Sequence, residues 1–157
     1  MHYRTSITFL HVQVQAQGAP SGWIGLGFAS SMFGATAVIG LPGDSTVKLY
    51  RLGGYSAADV TVLPDQSDLE GASLEKVDQV LKMSFRMRLP TAGGPVAITT
   101  DGSATPLIFA RGPAAHLSYH GPSFRTQTSV VLSPATRPPP PSPPPPSLPP
   151  PPPTGPP

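Results

Sequence analysis

The sequence predicts an all-β domain, an antiparallel β-sandwich of immunoglobulin-like type, followed by a disordered proline-rich tail. Three observations carry that prediction. Apolar and polar residues alternate with period two in several short stretches. The plainest sets Leu81, Met83, Phe85, Met87 and Leu89 against Lys82, Ser84, Arg86 and Arg88, the pattern of a strand with one buried face. Such stretches recur at roughly ten-residue spacing with Gly, Pro, Asp and Ser between them, the turn chemistry of antiparallel neighbours. Finally, 15 of the 24 prolines fall in the last 20 residues, a composition that cannot pack a core and extends as polyproline II. The domain is therefore expected over residues 1–133 and the tail over 134–157.

Taken in order, Leu10, Val12, Val14 and Ala16 alternate with His11, Gln13 and Gln15, a half-buried strand that turns at Gly18 to Gly22. The next strand holds the only Trp, Trp23, and sets Ile24, Leu26 and Phe28 against Gly25 and Gly27. It has one apolar face and one nearly bare face, against which something large could lie. Met32 follows at the mouth of a strand-to-strand turn, where a thioether is a candidate soft ligand. Further strands are expected over Ala35 to Leu41, Val47 to Arg51, Val60 to Leu63, Val96 to Thr100, Leu107 to Ala110 and Gln127 to Leu132. Between Asp65 and Gln79, Gly71 and uneven apolar spacing predict a loop and a short strand. On the alternating strand, Met83 and Met87 fill core, while Arg86 and Arg88 form a basic, solvated face that could also meet the carboxylates of a ligand or partner.

Composition excludes several classes of function. Ten Lys and Arg against eight Asp and Glu are scattered along the chain, which gives no footprint for nucleic acid. The chain has no cysteine, hence no disulfide framework, thiolate metal site or thiol nucleophile. The apolar stretch Ile7 to Val12 is too short and polar for a signal-peptide core. No charged residue occurs between Arg4 and Asp44, yet Gly, Ser, Gln and Pro dilute that run too heavily for a membrane span. Gly25-x-Gly27-x-x-Ser30 imitates a dinucleotide fingerprint but lacks the helix that motif needs. No Gly-x-Ser-x-Gly elbow and no suggestive carboxylate pair occurs, so no catalytic residue is expected. His116 and His120 stand four apart, a metal-pair spacing on a helix, but Gly121-Pro122 and the lack of a further ligand nearby argue against zinc.

The order of these motifs carries a resemblance. Gly22-Trp23-Ile24-Gly25-Leu26-Gly27-Phe28-Ala29, then Ser30-Ser31-Met32-Phe33-Gly34-Ala35, then the Leu81 to Leu89 strand, then Ile108-Phe109-Ala110-Arg111-Gly112 and Leu117-Ser118-Tyr119-His120-Gly121 together resemble the DOMON domain. That β-sandwich binds b-type haem or sugar, and is also found as the cytochrome module of cellobiose dehydrogenase. The resemblance covers roughly residues 7 to 132 and implies that haem iron would be held by Met32 and His120, with His116 the fallback in the same loop. Gly25 and Gly27 would leave a flat surface for the macrocycle, with Trp23, Phe28 and Phe33 as its walls. A Met/His pair fills both axial positions, so the implied activity is outer-sphere electron transfer to a separate redox partner, a membrane cytochrome or a dehydrogenase, and not catalysis. The family's other branch implies a haem-free module that recognises carbohydrate. Arg86 and Arg88 are candidates for a propionate or docking contact. Compared with the family, the beginning is short by one or more strands, and the chain is expected to be part of a longer precursor. The Ser-Pro-Pro-Pro-Pro blocks of the tail resemble hydroxyproline-rich segments of plant and green-algal cell-wall glycoproteins, which implies an extracellular or cell-wall location.

Overall fold

A computed structural model of the chain describes residues 1–5, 8–18, 21–89, 98–99 and 101–132. The described residues contain ten strands: β1 (His2–Thr5), β2 (Phe9–Gln17), β3 (Ile24–Gly27), β4 (Thr36–Leu41), β5 (Thr46–Leu52), β6 (Val60–Val62), β7 (Leu69–Val77), β8 (Val80–Arg88), β9 (Ala104–Arg111) and β10 (Arg125–Val131). They form two antiparallel sheets, one of order β1-β2-β8-β7 and one of order β10-β9-β3-β4-β5-β6. The expected β-sandwich is present.

The core lies where the period-two faces of the two sheets meet. From the four-stranded sheet come Leu10, Val12, Val14 and Ala16 of β2 and Leu81, Met83, Phe85 and Met87 of β8, all buried. Antiparallel pairing sets Val12 beside Phe85 and Val14 beside Met83, so each large side chain has an apolar neighbour on its own face. The six-stranded sheet answers with Ile24, Leu26 and Phe28 on and just after β3, Val38 of β4, Leu49 of β5 and Leu107 of β9. On the far side of β8, Arg86 and Arg88 both pair with Glu70, at 3.1 and 3.2 Å, and lie near the Phe9 ring.

Gln66 fastens the crossing from one sheet to the other. Its side-chain carbonyl accepts from the Leu49 N–H at 2.7 Å, and its amide donates to the carbonyls of Leu49 at 3.1 Å and Leu63 at 2.7 Å. One side chain thereby does the work of a strand partner where β6 has ended.

Three expectations change. Residues 65–79 were expected to hold a loop and a short strand, but β7 is nine residues long. Its register shifts between Glu70 and Ser73, with Gly71 at φ 55°, and such a bulge breaks the period-two pattern. β1 was not expected; its four residues present no alternating apolar set, and it is defined only by its pairing with β2, His2 to Thr5 against Gln13 to Leu10. Of the strand expected at Val96 to Thr100, only Ile98 and Thr99 are described; neither is in a strand, and Ile98 is buried in the core. The proline-rich tail lies outside the described residues. No helix among them is long and apolar enough to cross a membrane.

Met83 is fully buried between the sheets. Met83→Ala is expected to lower unfolding free energy by about 2–5 kcal/mol, measured as a lower denaturant midpoint with an unchanged slope.

Candidate functional site

An antiparallel sheet commonly packs one face on the core and wets the other. The six-stranded sheet departs from this. Its outward face carries a second buried apolar layer of Trp23, Ala35, Ala37, Ile39, Tyr50 and Leu52, against which Ile108 and Ala110 pack. In the middle of that face β3 contributes no side chain, because its outward positions are Gly25 and Gly27. A Cβ on Gly27 would come within 2.7 Å of Ile108 Cγ1, and one on Gly25 within 3.4 Å of the Trp23 ring. The floor is thus flat, apolar and closely tiled. Above it runs a groove of about 690 Å³, within the usual range for small-molecule sites of roughly 300–1,000 Å³.

Two loops wall the groove from opposite ends of β3. The β3–β4 loop leaves the Gly27 end and brings Ser30, Ser31 and Met32 to the lining, with the half-buried Met32 packed on the outer apolar layer. The β9–β10 loop starts at Arg111, the register partner of Ile24 at the other end, and brings Leu117, Ser118, Tyr119 and His120. Met32 and His120, 88 positions apart in sequence, therefore line one groove.

Trp23 holds the second loop. Its N–H donates to the Ala114 carbonyl at 2.9 Å, and its carbonyl accepts from the Gly112 N–H at 3.0 Å. Its indole Nε1–H donates to the Ser118 carbonyl at 3.0 Å. Gly112 is pressed flat on the indole, where a Cβ would overlap the ring. The Trp23 ring then meets the edge of His120, centroids 6.2 Å apart, while Tyr119 stacks on the same imidazole at 5.2 Å. His120 Nδ1 lies 2.7 Å from the Gly121 carbonyl. A carbonyl only accepts, so Nδ1 carries the proton and Nε2 keeps a free lone pair. Gly121 has φ 68° and ψ 163°, a region essentially reserved for glycine.

A third wall is the Tyr55–Ser56–Ala57 segment, and Asp59 shapes it. The Asp59 carboxylate accepts from the Ser56 hydroxyl at 2.8 Å and the Ser56 N–H at 3.1 Å. Those side-chain and backbone hydrogen bonds hold the carboxyl below its ordinary range. Among the described residues no Asp or Glu lines the groove, and Arg125 at the start of β10 is its Lys or Arg. Beneath, burial raises the Tyr50 phenol above its ordinary value, and Asp44 adds in the same direction.

The structure sorts the residues singled out in the sequence. Met32, His120, Trp23, Gly25 and Gly27 share the groove. Phe28, expected as a wall, does not line it: strand alternation sends it inward with Ile24 and Leu26, 2% exposed in the inter-sheet core. Phe33, also expected as a wall, is 68% exposed and outside the lining. His116 does not line the groove; it lies over the β4–β5 turn, 3.8 Å from Asp44, close enough that a Cβ on Gly43 would meet its ring at 2.6 Å. Arg86 and Arg88 belong to the other sheet, so neither can touch a ligand in the groove. The walls are supplied instead by Tyr55 and Tyr119, which carried no periodic signal, although Tyr119 stands beside His120 in the Leu117 to Gly121 motif.

Chemically, the groove presents one thioether and one imidazole. Among the described residues no cluster of three or more His, Cys, Asp or Glu could hold a metal ion. Met32 and His120 suit a metal that brings its remaining donors with it.

The sequence matches no protein-family profile and no curated protein. Among solved structures, the fold is similar to the crystal structure of the cytochrome b domain of pyranose dehydrogenase from Coprinopsis cinerea. The TM-score is 0.51 at 16% identity, covering 78% of this chain and 67% of that one. At that identity the likeness is one of fold.

Two outcomes are expected at the walls. Gly112→Ala should push the indole off its seat, shift the emission of the only Trp to longer wavelength and cost about 1–3 kcal/mol in denaturant unfolding. For Asp59, a lowered folded pKa means that its hold on Ser56 is present above the ordinary value of 3.8 and lost as pH falls through the folded value. An NMR titration should show the Ser56 amide moving only on that acid side, and Asp59→Ala should abolish the movement.

Proposed function

We propose that this protein binds one b-type haem in the outer groove and carries single electrons to a separate redox partner. The observation that supports it best is the convergence of Met32 and His120, from loops at opposite ends of β3, over the glycine floor. The groove passes three tests of suitability. Its floor is bare where a flat macrocycle would rest and would be obstructed by any side chain at positions 25 and 27. Its donor set is one thioether and one imidazole, a recognised axial pair for haem iron. Its lining is largely apolar, with Arg125 able to meet an acidic substituent.

When bound, the haem supplies a one-electron ferric/ferrous couple. The chain does the rest. Gly121 accepts from Nδ1 and so keeps His120 in the tautomer whose Nε2 can bind a metal. Met32 would offer a soft ligand, which would raise the reduction potential. Held by both Met32 and His120, a haem iron would have no position left for oxygen or substrate, which would make the protein a carrier and not an enzyme. The apolar layer under the floor excludes water and lowers the local dielectric, a second lever on potential. A membrane cytochrome or a dehydrogenase is the class of partner, and the proline-rich sequence after residue 133 is consistent with an extracellular or cell-wall setting.

A second reading, carbohydrate recognition, is favoured by Tyr55 and Tyr119, which line the groove while 71% and 70% exposed, as platforms for a sugar ring would be. Haemin titration of the full chain followed by visible spectroscopy separates the two. Uptake with the sharp reduced bands of a six-coordinate low-spin haem is expected, lost in His120→Ala and converted to a five-coordinate spectrum in Met32→Ala. A folded protein that takes up no haemin would move the conclusion to carbohydrate.

A further inference from the structure

We infer that Trp23 is a positioning residue for His120, acting through its indole N–H on the Ser118 carbonyl; the inference deepens the proposed function and rests on its choice of groove and ligand. The loop from Gly112 to Gly121 contains no regular structure, so nothing periodic fixes its shape. Three contacts with Trp23 hold it, beside a bond from the Gly43 N–H to the Ala115 carbonyl at 3.1 Å. The Trp23 backbone clasps Gly112 and Ala114 at the start of the loop, and its indole N–H holds Ser118 two residues before His120.

These contacts differ in what they can control. The backbone pair would survive any side chain at position 23, whereas the Nε1–H bond is unique to Trp. That donor is on a ring 5% exposed, away from competing water, and it points at the peptide that leads into Tyr119 and His120. Losing it would leave the Ser118 carbonyl without this partner and free the Ser118–Tyr119 peptide to rotate. Rotation there turns both rings of the Tyr119–His120 stack and loosens the short Nδ1–H bond to Gly121. The imidazole would then sample both tautomers and a wider range of directions. Ser118 Oγ, at 3.4 Å from Nε1, is a secondary partner, so the backbone carbonyl and not the hydroxyl carries the effect.

The test compares the full chain with Trp23→Phe and with a protein carrying 3-benzothienylalanine at position 23, which keeps the bicycle and removes only the N–H. The first readout needs no haem: ring nitrogen NMR of His120 at about pH 8.5, two units above the ordinary histidine pKa of roughly 6.5. The unmodified protein should show distinct protonated Nδ1 and unprotonated Nε2 signals, and both replacements should draw them together into an averaged pair. The second readout is haemin titration, where both replacements should weaken uptake about 10- to 100-fold and add a high-spin component to the spectrum. Ser118→Ala, which keeps the carbonyl that accepts from the indole, should leave the nitrogen signals distinct. If the benzothienyl protein is folded and keeps the distinct nitrogen signals of the unmodified chain, the inference is overturned. Absence of haemin uptake by the unmodified chain would overturn the proposed function instead, and the nitrogen signals would still decide the role of Trp23.

Discussion

The structure turns on the missing side chains of β3. A strand at the centre of a six-stranded sheet would ordinarily send bulky residues to both faces, and the outer face would then be filled or wetted. Gly25 and Gly27 leave that face empty along the strand, while Ala37, Ile39, Ile108 and Ala110 beside them remain apolar. Such a surface is costly to leave in water, since apolar area buried is worth about 25 cal/mol per Å². The fold meets that cost in part by drawing two loops and the Tyr55 segment over it. What stays uncovered is a groove whose floor is flat and whose walls are loops, the arrangement that suits a flat, largely apolar ligand.

The same constraint explains why the chemistry sits on loops. Strand positions on the floor are committed to tiling, and a ligating side chain on β3 would fill the space it must serve. The candidate donors therefore come from loops at the strand ends, Met32 from one and His120 from the other. Loops have no ladder to hold them, so each needs local support. On the His120 side that support is polar: the Trp23 indole, the Gly112 and Ala114 backbone bonds and the glycine conformation of Gly121. On the Met32 side the backbone is tied to β5, the Gly34 N–H donating to the Leu52 carbonyl at 2.7 Å and the Leu52 N–H to the Ala35 carbonyl at 2.9 Å.

Similarity to the cytochrome b domain of pyranose dehydrogenase speaks to the sandwich alone. Both ligand candidates come from loops whose sequence has no periodic meaning, yet both face the same cavity. His116, chemically equal to His120 and four residues away, is directed elsewhere: it lies over Gly43 and beside Asp44 and does not line the groove. The basic pair Arg86 and Arg88 is likewise directed elsewhere, to Glu70 and Phe9, on the opposite side of the sandwich.

Sequence alone determined what period two can encode. Strands β2, β3 and β8 were legible because each buries one alternating face, and the bare face of β3 was visible as two glycines among apolar residues. The order of the Trp23, Met32 and His120 motifs was also local information, and these three residues line one groove. Tertiary structure decided everything that depends on which surfaces meet. It sent Phe28 into the core and Phe33 to solvent, because alternation fixes a face but not what lies beyond it. It made β1 and β7 strands, since pairing with a neighbour can order a segment with no apolar pattern or with a bulge in it. Above all it set only one of the two loop histidines, His120, on the groove, beside a Trp23 hydrogen bond that spans 95 positions and leaves no periodic trace in the sequence.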